Sequence, residues 1–413
     1  MKRIAFALGL AALLLSSSAS AVKVPTGTDD INLNVNAFLQ VRYEGTFEGS
    51  AERSLDSDFF LRRARIQVSG TAYKTFSFLI QTDNSNMGKR GSPTSIGGAS
   101  NPTFVQDLLV GWTPVEDLTF EMGLLLTPTL RTLGLSASGG QLQIEAPIDL
   151  IFQNLDRGFR QVGAQLRGFA VGRRIGFRGG VYEGFHSTAA NPGSAGPPVV
   201  PAAPAINPGG KPMIGAHVRL NLLGEETGYA YSAMYLDGKA RASIGGSVQY
   251  QPRAACPAAV TGCSIASGTG ATATINDYKF FGGDAFIDLP VGPDMEFSAD
   301  AAIVRWDYGD NFARTGTGFM GSLNFRVATI GAFLSAYKFG SDSGFPHTSD
   351  RRKFAGGLVW FARGQADKIT LEVNSITPGG PGNPSAIAPV ASNSGFQGAS
   401  STAAIWLQGQ AGF

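Results

Sequence analysis

Two cysteines and three histidines are all that this 413-residue chain offers for disulfide, metal or nucleophile–base chemistry. Cys256 and Cys263 lie seven apart in a Pro/Gly/Ala/Thr-rich stretch, where the first reading is a small loop disulfide of an exported protein. A metal site would need further ligands, and His186, His217 and His347 are scattered along the chain. Charge is scarce as well: 15% of residues are Asp, Glu, Lys or Arg, against about 25% in an average soluble protein. The 33 basic residues nearly balance the 31 acidic ones, which argues against a nucleic-acid partner. Beyond the N-terminus no stretch approaches the roughly 18 consecutive apolar residues of a membrane helix. A membrane role would therefore require a β-barrel, the other structure that satisfies its own backbone in lipid.

What is present starts with an export signal. Lys2 and Arg3 precede an apolar run from Ile4 to Leu15, and Ala19-Ser20-Ala21 forms an A-x-A cleavage pattern. Residues 1–21 are expected to be a signal peptide, and 22–413 a single barrel domain. Without Lys2 and Arg3 the basic and acidic counts are equal at 31. Glycine reaches 55 residues, nearly twice the roughly 7% of average usage.

Segments of about ten residues with two-residue alternation recur along the chain. The first sets Leu33, Val35, Ala37, Leu39, Val41 and Tyr43 on one face and Asn34, Asn36, Gln40, Arg42 and Glu44 on the other. The last sets Phe413, Ala411, Gly409, Leu407, Ile405 and Ala403 against Gly412, Gln410, Gln408, Trp406, Ala404 and Thr402. Between them the pattern predicts strands over 59–72, 76–83, 103–112, 118–126, 161–170, 174–185, 213–223, 229–236 and 240–250. Further strands are predicted over 277–289, 295–308, 318–327, 330–339, 353–362 and 368–376. A half-buried strand of a soluble sandwich alternates in the same way, so strand number and connection length must decide.

Seventeen candidates make an odd number, whereas a bacterial single-chain barrel has an even one. Its final strand runs down to the periplasm, where turns are short, and long loops lie outside. A closing aromatic residue also resembles the C-terminal strand of bacterial outer-membrane proteins. Counted backwards, segments 379–400, 340–352, 309–317 and 253–276 fall outside. Counted forwards from Val22, so do 48–58, 84–102, 127–160 and 186–212. The two counts agree when 229–236 is part of a longer periplasmic connection and not a crossing. Proline-rich stretches 186–212 and 378–389 cannot be central strands; strand patterning resumes after each, so they read as loops. The expectation is an all-β transmembrane antiparallel β-barrel of sixteen strands, with long extracellular loops, in the bacterial outer membrane.

Phe60-Leu61-Arg62-Arg63-Ala64-Arg65-Ile66, followed by Gly70, resembles the second strand of the phosphate-selective porin O and P family. Gly123–Pro128, Asp156-Arg157-Gly158 with Val162-Gly163, Glu226–Lys239 and Asp284–Pro290 resemble further stretches of it. Two departures bear on specificity. Leu124-Leu125-Leu126 replaces a segment that carries a lysine in the family, and the arginine–aspartate order is reversed at Asp156-Arg157. The resemblance implies a homotrimeric porin with a constricting third loop, without securing phosphate specificity.

A sixteen-stranded barrel encloses a water channel unless loops fold into it. Segment 127–160, the third outside loop, is the expected constriction and carries Arg131, Glu145, Asp149, Asp156 and Arg157. On the second strand Arg63, Arg65 and Gln67 share a parity that should face the lumen, because arginine on the lipid face costs about 2–4 kcal/mol at the midplane. Arg62, on the other parity, is expected at the rim or a protomer interface. Arg42, Arg167, Arg178 and Arg219, with Arg131 and Arg157, would extend a basic wall that selects anions at close range. The competing reading pairs these arginines with Asp83, Asp107, Glu121 or Glu183 and makes them wall braces. Catalysis is not expected: Gly340-Ser341-Asp342-Ser343-Gly344 has Asp where a nucleophile elbow has Ser, and no cofactor is called for. The leading expectation is a passive channel for small hydrophilic solutes, preferring anions such as phosphate. The rivals are a non-conducting surface barrel whose loops bind partners and a soluble β-sandwich.

Overall fold

The computed structural model describes residues 22–48, 55–89, 103–145, 159–184, 210–255, 276–309, 315–342, 351–378 and 402–412. Cys256, Cys263, Arg157, Asp149, Asp156 and Phe413 lie outside the described residues. A three-residue strand, β1 (Val22–Val24), precedes sixteen long ones. These are β2 (Ile31–Glu48), β3 (Leu55–Ala72), β4 (Phe76–Met87), β5 (Phe104–Val115), β6 (Leu118–Leu126), β7 (Arg160–Ala170), β8 (Ile175–Tyr182) and β9 (Met213–Leu223). Then come β10 (Arg241–Ala255), β11 (Asn276–Gly292), β12 (Met295–Asp307), β13 (Gly316–Val327), β14 (Ile330–Ser341), β15 (Arg351–Arg363), β16 (Asp367–Pro378) and β17 (Thr402–Gly412). Each long strand pairs antiparallel with the next, and β17 pairs with β2, so the sheet closes into a sixteen-strand barrel. β1 lines the same edge of β2 just past the end of β17: Val22 faces Val35, where Gly412 faces Phe38.

Alternation decides which way each strand faces. Val110, Val218, Ile244, Ile303, Leu323, Leu334, Leu358 and Val373 project outward and exposed, a belt far larger than the apolar patches soluble proteins tolerate. Many of their neighbours in sequence face inward and are polar, among them His217, Arg219, Ser243, Ser322, Asn324, Glu372 and Asn374. This is the pattern of a wall between lipid and a polar interior. Short turns at 73–75, 116–117, 171–174, 293–294, 328–329 and 364–366 close one end. At the first of them Tyr73 and Lys74 both hold positive φ (53° and 61°), a left-handed backbone that residues other than glycine adopt chiefly in tight turns.

Segment 229–236 is no strand: residues 224–240 connect β9 to β10 at the short-turn end. The middle of this connection, residues 229–236, bends back into the lumen, a course its periodicity did not foretell. From the opposite end residues 127–145 also enter the lumen. The core therefore lies inside the barrel. Leu125, Leu126, Leu130, Leu133 and Leu135 pack with Phe159, Tyr182, Met213, Tyr231, Tyr278 and Phe280. Leu142 joins Ala233, Met234, Phe333, Val359 and Phe361 in a second cluster. These apolar residues break the polar-inside rule because loops, not water, cover them.

Candidate functional site

The two inserted segments meet in mid-lumen through backbone hydrogen bonds. The amides of Ala137 and Tyr231 donate to Tyr231 O (2.7 Å) and Leu135 O (2.8 Å), and that of Ala233 donates to Gly140 O (3.0 Å). Wall residues fix the path of 127–145. Gln249 Nε2 and Ser247 Oγ donate to Pro128 O (2.9 Å) and Thr129 O (2.6 Å). Lys368 donates to the carbonyls of Gly139 and Gln141, and the Ile144 amide donates to Glu372 Oε2 at 2.7 Å. Close approach explains two wall glycines. A Cβ on Gly215 or Gly282 would stand 2.8 Å from Pro128 or Leu130.

On the β9–β12 side the loops fill the lumen around four alternating charges. Arg131 pairs with Glu226 at 2.7 Å, and its amide donates to Asp284 Oδ2 at 3.0 Å. Arg219 bridges Glu226 (3.3 Å) and Asp284 (2.8 Å). Burial alone would raise the Glu226 carboxyl, but Arg131 and then Arg219 outweigh it and hold it below its ordinary value. Backbone amides of Tyr235 and Leu236 donate to Asp288 and Glu296, and Ser298 Oγ donates to Ala233 O. Arg219, Ser247, Gln249, Asp284, Asp288, Glu296 and Ser298 of this wall all hold a loop.

The β2–β5 side is different. A cavity of about 600 Å³ remains there, bounded by Arg62, Arg63, Arg65, Gln81, Asp83 and Gln106 on the wall and by Ser138 and Glu145 on the loop. Two β-bulges shape it. Gln40 faces Arg63 while Val41 faces Leu61, so Arg62 is the extra residue. Gln81 faces Asp107 while Thr82 faces Val105, so Gln106 is the extra residue. A bulge flips side-chain parity, which turns Arg62-Arg63 and Gln106-Asp107 inward as consecutive pairs. Arg62 is thus a lumen residue and not a rim or interface residue, because the strict alternation behind that expectation is broken at it.

Among the described residues, six basic side chains meet four carboxylates at this cavity and its upper wall. Glu145 receives Arg42, Arg62 and Arg63; Glu44 receives Arg42 (3.1 Å) and Lys89 (2.9 Å). Arg65 pairs with Asp83 (3.0 Å) and Arg160 with Asp107 (3.1 Å). The count leaves a formal excess of two positive charges. Burial would raise the Glu145 carboxyl, but Arg62, Arg42 and Arg63 together hold it well below the usual carboxylate range. Towards the short-turn end the same wall continues with uncharged polar Asn34, Asn36, Gln67, Ser69, Thr71 and Ser77, none of them buried.

The expected site residues therefore part company. Arg63 and Arg65 border the cavity, and Arg42 lies fully buried beneath it, donating to Gln408 and stacked over Trp406 at 5.3 Å. Arg131 and Arg219 are sealed between loop and wall. Arg178 donates to Tyr229 O at 2.7 Å and has no carboxylate within ion-pair distance among the described residues; Arg167 pairs with Glu121 at 2.8 Å. Arg160, Lys89 and Lys368 went unnoticed in the sequence; each is a basic residue at a strand end, a position that reads as solvated rim.

No family model matches the sequence, and no curated protein matches it. Solved structures do. The outer membrane channel DcaP of Acinetobacter baumannii superposes with TM-score 0.53 at 11% identity, covering 95% of this chain and all of its own. An anion-selective porin from Comamonas acidovorans gives 0.53 at 9% identity, over 93% of this chain and all of its own. OprB of Pseudomonas putida gives 0.56 at 8% identity, over 92% and 94% of the two chains. At such identities the likeness is one of fold, and the fold is that of the outer-membrane porins.

Proposed function

We propose that this chain is an outer-membrane diffusion channel for small hydrophilic solutes, with a preference for anions, whose passage runs along the β2–β5 wall. The cavity between that wall and the inserted loop carries the reading. Among the described residues it is a part of the mid-lumen that the inserted segments leave open, and its wall bears more arginine than carboxylate. Rings of basic side chains attract anions most strongly where the passage is narrow and poorly screened. Trimeric association enters through the porin O and P resemblance alone.

A closed, non-conducting barrel is the second reading, and the meeting of two inserted segments in mid-lumen favours it. Purified protein in planar bilayers separates the two. Discrete conductance steps are expected, with a zero-current potential of the anion-selective sign in a potassium chloride gradient. A barrel that inserts but stays silent supports the second reading, and a cation-selective sign removes the anion preference.

A further inference from the structure

The outer face of β11–β15 is not a uniform apolar belt. Ala285, Ala301, Gly321 and Ala336 stand opposite one another in consecutive strands and hollow a shallow trough of about 940 Å³, with Phe354 as its far wall. Towards the long-loop end the trough is closed by two cations, Lys338 and Arg352, which are direct cross-strand partners. Both are exposed. Like charges placed directly opposite destabilise a strand pair. The outward-facing cations of the neighbouring strands avoid this: Lys279 pairs with Asp307 at 3.7 Å and Arg305 with Asp342 at 2.6 Å. Lys338 and Arg352 have no carboxylate within ion-pair distance among the described residues. Phe319 faces Lys338 from β13, on the side away from Arg352, and lies exposed at the same height.

We propose that this trough binds a phosphorylated lipid of the outer leaflet, its phosphate between Lys338 and Arg352 and an acyl chain along the small-residue floor. The occupant follows from charge and shape together. Paired cations at the edge of an apolar belt complement a headgroup anion, and a floor without side chains beyond Cβ admits a chain where the flanking Leu323 and Leu334 would exclude it. A second copy of this chain would also cover apolar surface, but nothing in the trough itself answers the two charges.

Detergent-purified full-length protein, examined by native mass spectrometry with a bisphosphorylated glucosamine lipid, its phosphate-free analogue and inorganic phosphate, tests the site. The wild type is expected to retain the phosphorylated lipid and neither of the other two. The K338Q/R352Q variant should retain it at least about tenfold less well, the size of losing one charge-assisted hydrogen bond. Filling the trough with Ala336→Phe should weaken retention while leaving both cations in place. Heat-modifiable migration reports that each variant is folded. Equal retention of the phosphate-free analogue by the wild type overturns the proposal without recourse to any variant. So does unchanged retention by K338Q/R352Q, retention of inorganic phosphate alone, or a fall in oligomeric state with lipid retention intact, which would make the face an interface between copies.

Discussion

The β2–β5 and β9–β12 walls of the lumen are built from the same residue types and end in opposite states. Both carry arginines across from carboxylates. On β9–β12 the loops press against the wall, and the side chains of Arg131 and Arg219 keep 2% and 1% of their surface. On β2–β5 the loop reaches the arginines through Glu145 and Ser138 but leaves a cavity beside them, and Arg63 and Arg65 keep 13% and 12%. A buried ion pair whose partner is removed leaves an uncompensated charge, whereas a pair beside water relaxes around the loss. Arginine on a barrel wall is therefore a brace or a lure depending on what faces it, and the facing element here is a loop.

Breaking the closed side should have the largest effect. Replacing Arg131 by Ala removes the closer of the two arginines on Glu226, leaves Arg219 alone against Glu226 and Asp284, and is expected to cost about 3 kcal/mol of loop docking. Amide exchange over 229–236 should accelerate by roughly two to three orders of magnitude, and conductance should rise as the lumen opens. Protection that stays at the wild-type level would show that the two segments are held without this network.

Acid should loosen the latch at Glu145 next. Its folded-state carboxyl is depressed below the ordinary 4.5, so the contribution is complete above the unfolded value and is lost as pH falls through the folded one. Current noise from loop movement should be flat from pH 7 to about 4.5 and grow only below that. Growth already between pH 7 and 5 would mean that another group holds the loop.

On the open side, neutralising Arg63 and Arg65 with Gln should lower the anion-to-cation permeability ratio by roughly fivefold per charge at most, the size of a close charge–ion contact in water at about 1 kcal/mol. Asp83→Asn should move the ratio the other way. Unchanged ratios in both would assign these side chains to bracing. The smallest effect belongs to Arg173, whose pairs with Glu116 and Asp117 lie exposed on two short turns. Arg173→Ala should leave the melting temperature where it is.

Much of the barrel was legible because lipid on one side and a polar lumen on the other impose a period of two. Strand number was legible too: turn lengths alone forced 229–236 out of the wall. The lumen contents were not. Leu125, Leu126 and the leucines up to Leu142 find much of their packing on distant segments, and nothing local shows that they pack with Tyr231 or Met234. The bulges at Arg62 and Gln106 were hidden by the very alternation that identified the strands. Their trace in the sequence is a pair of adjacent polar residues inside an alternating run, Arg62-Arg63 and Gln106-Asp107.

The contrast between the two walls is tested most directly by thiol accessibility. With Cys256 and Cys263 replaced by Ser, single cysteines would be placed at Gln81, on the cavity wall, and at Ser298, which is buried against Ala233. A small charged methanethiosulfonate should label position 81 and reduce the current, and leave position 298 unmodified. Equal labelling of the two positions, or labelling of 298 alone, would contradict a passage confined to the β2–β5 side.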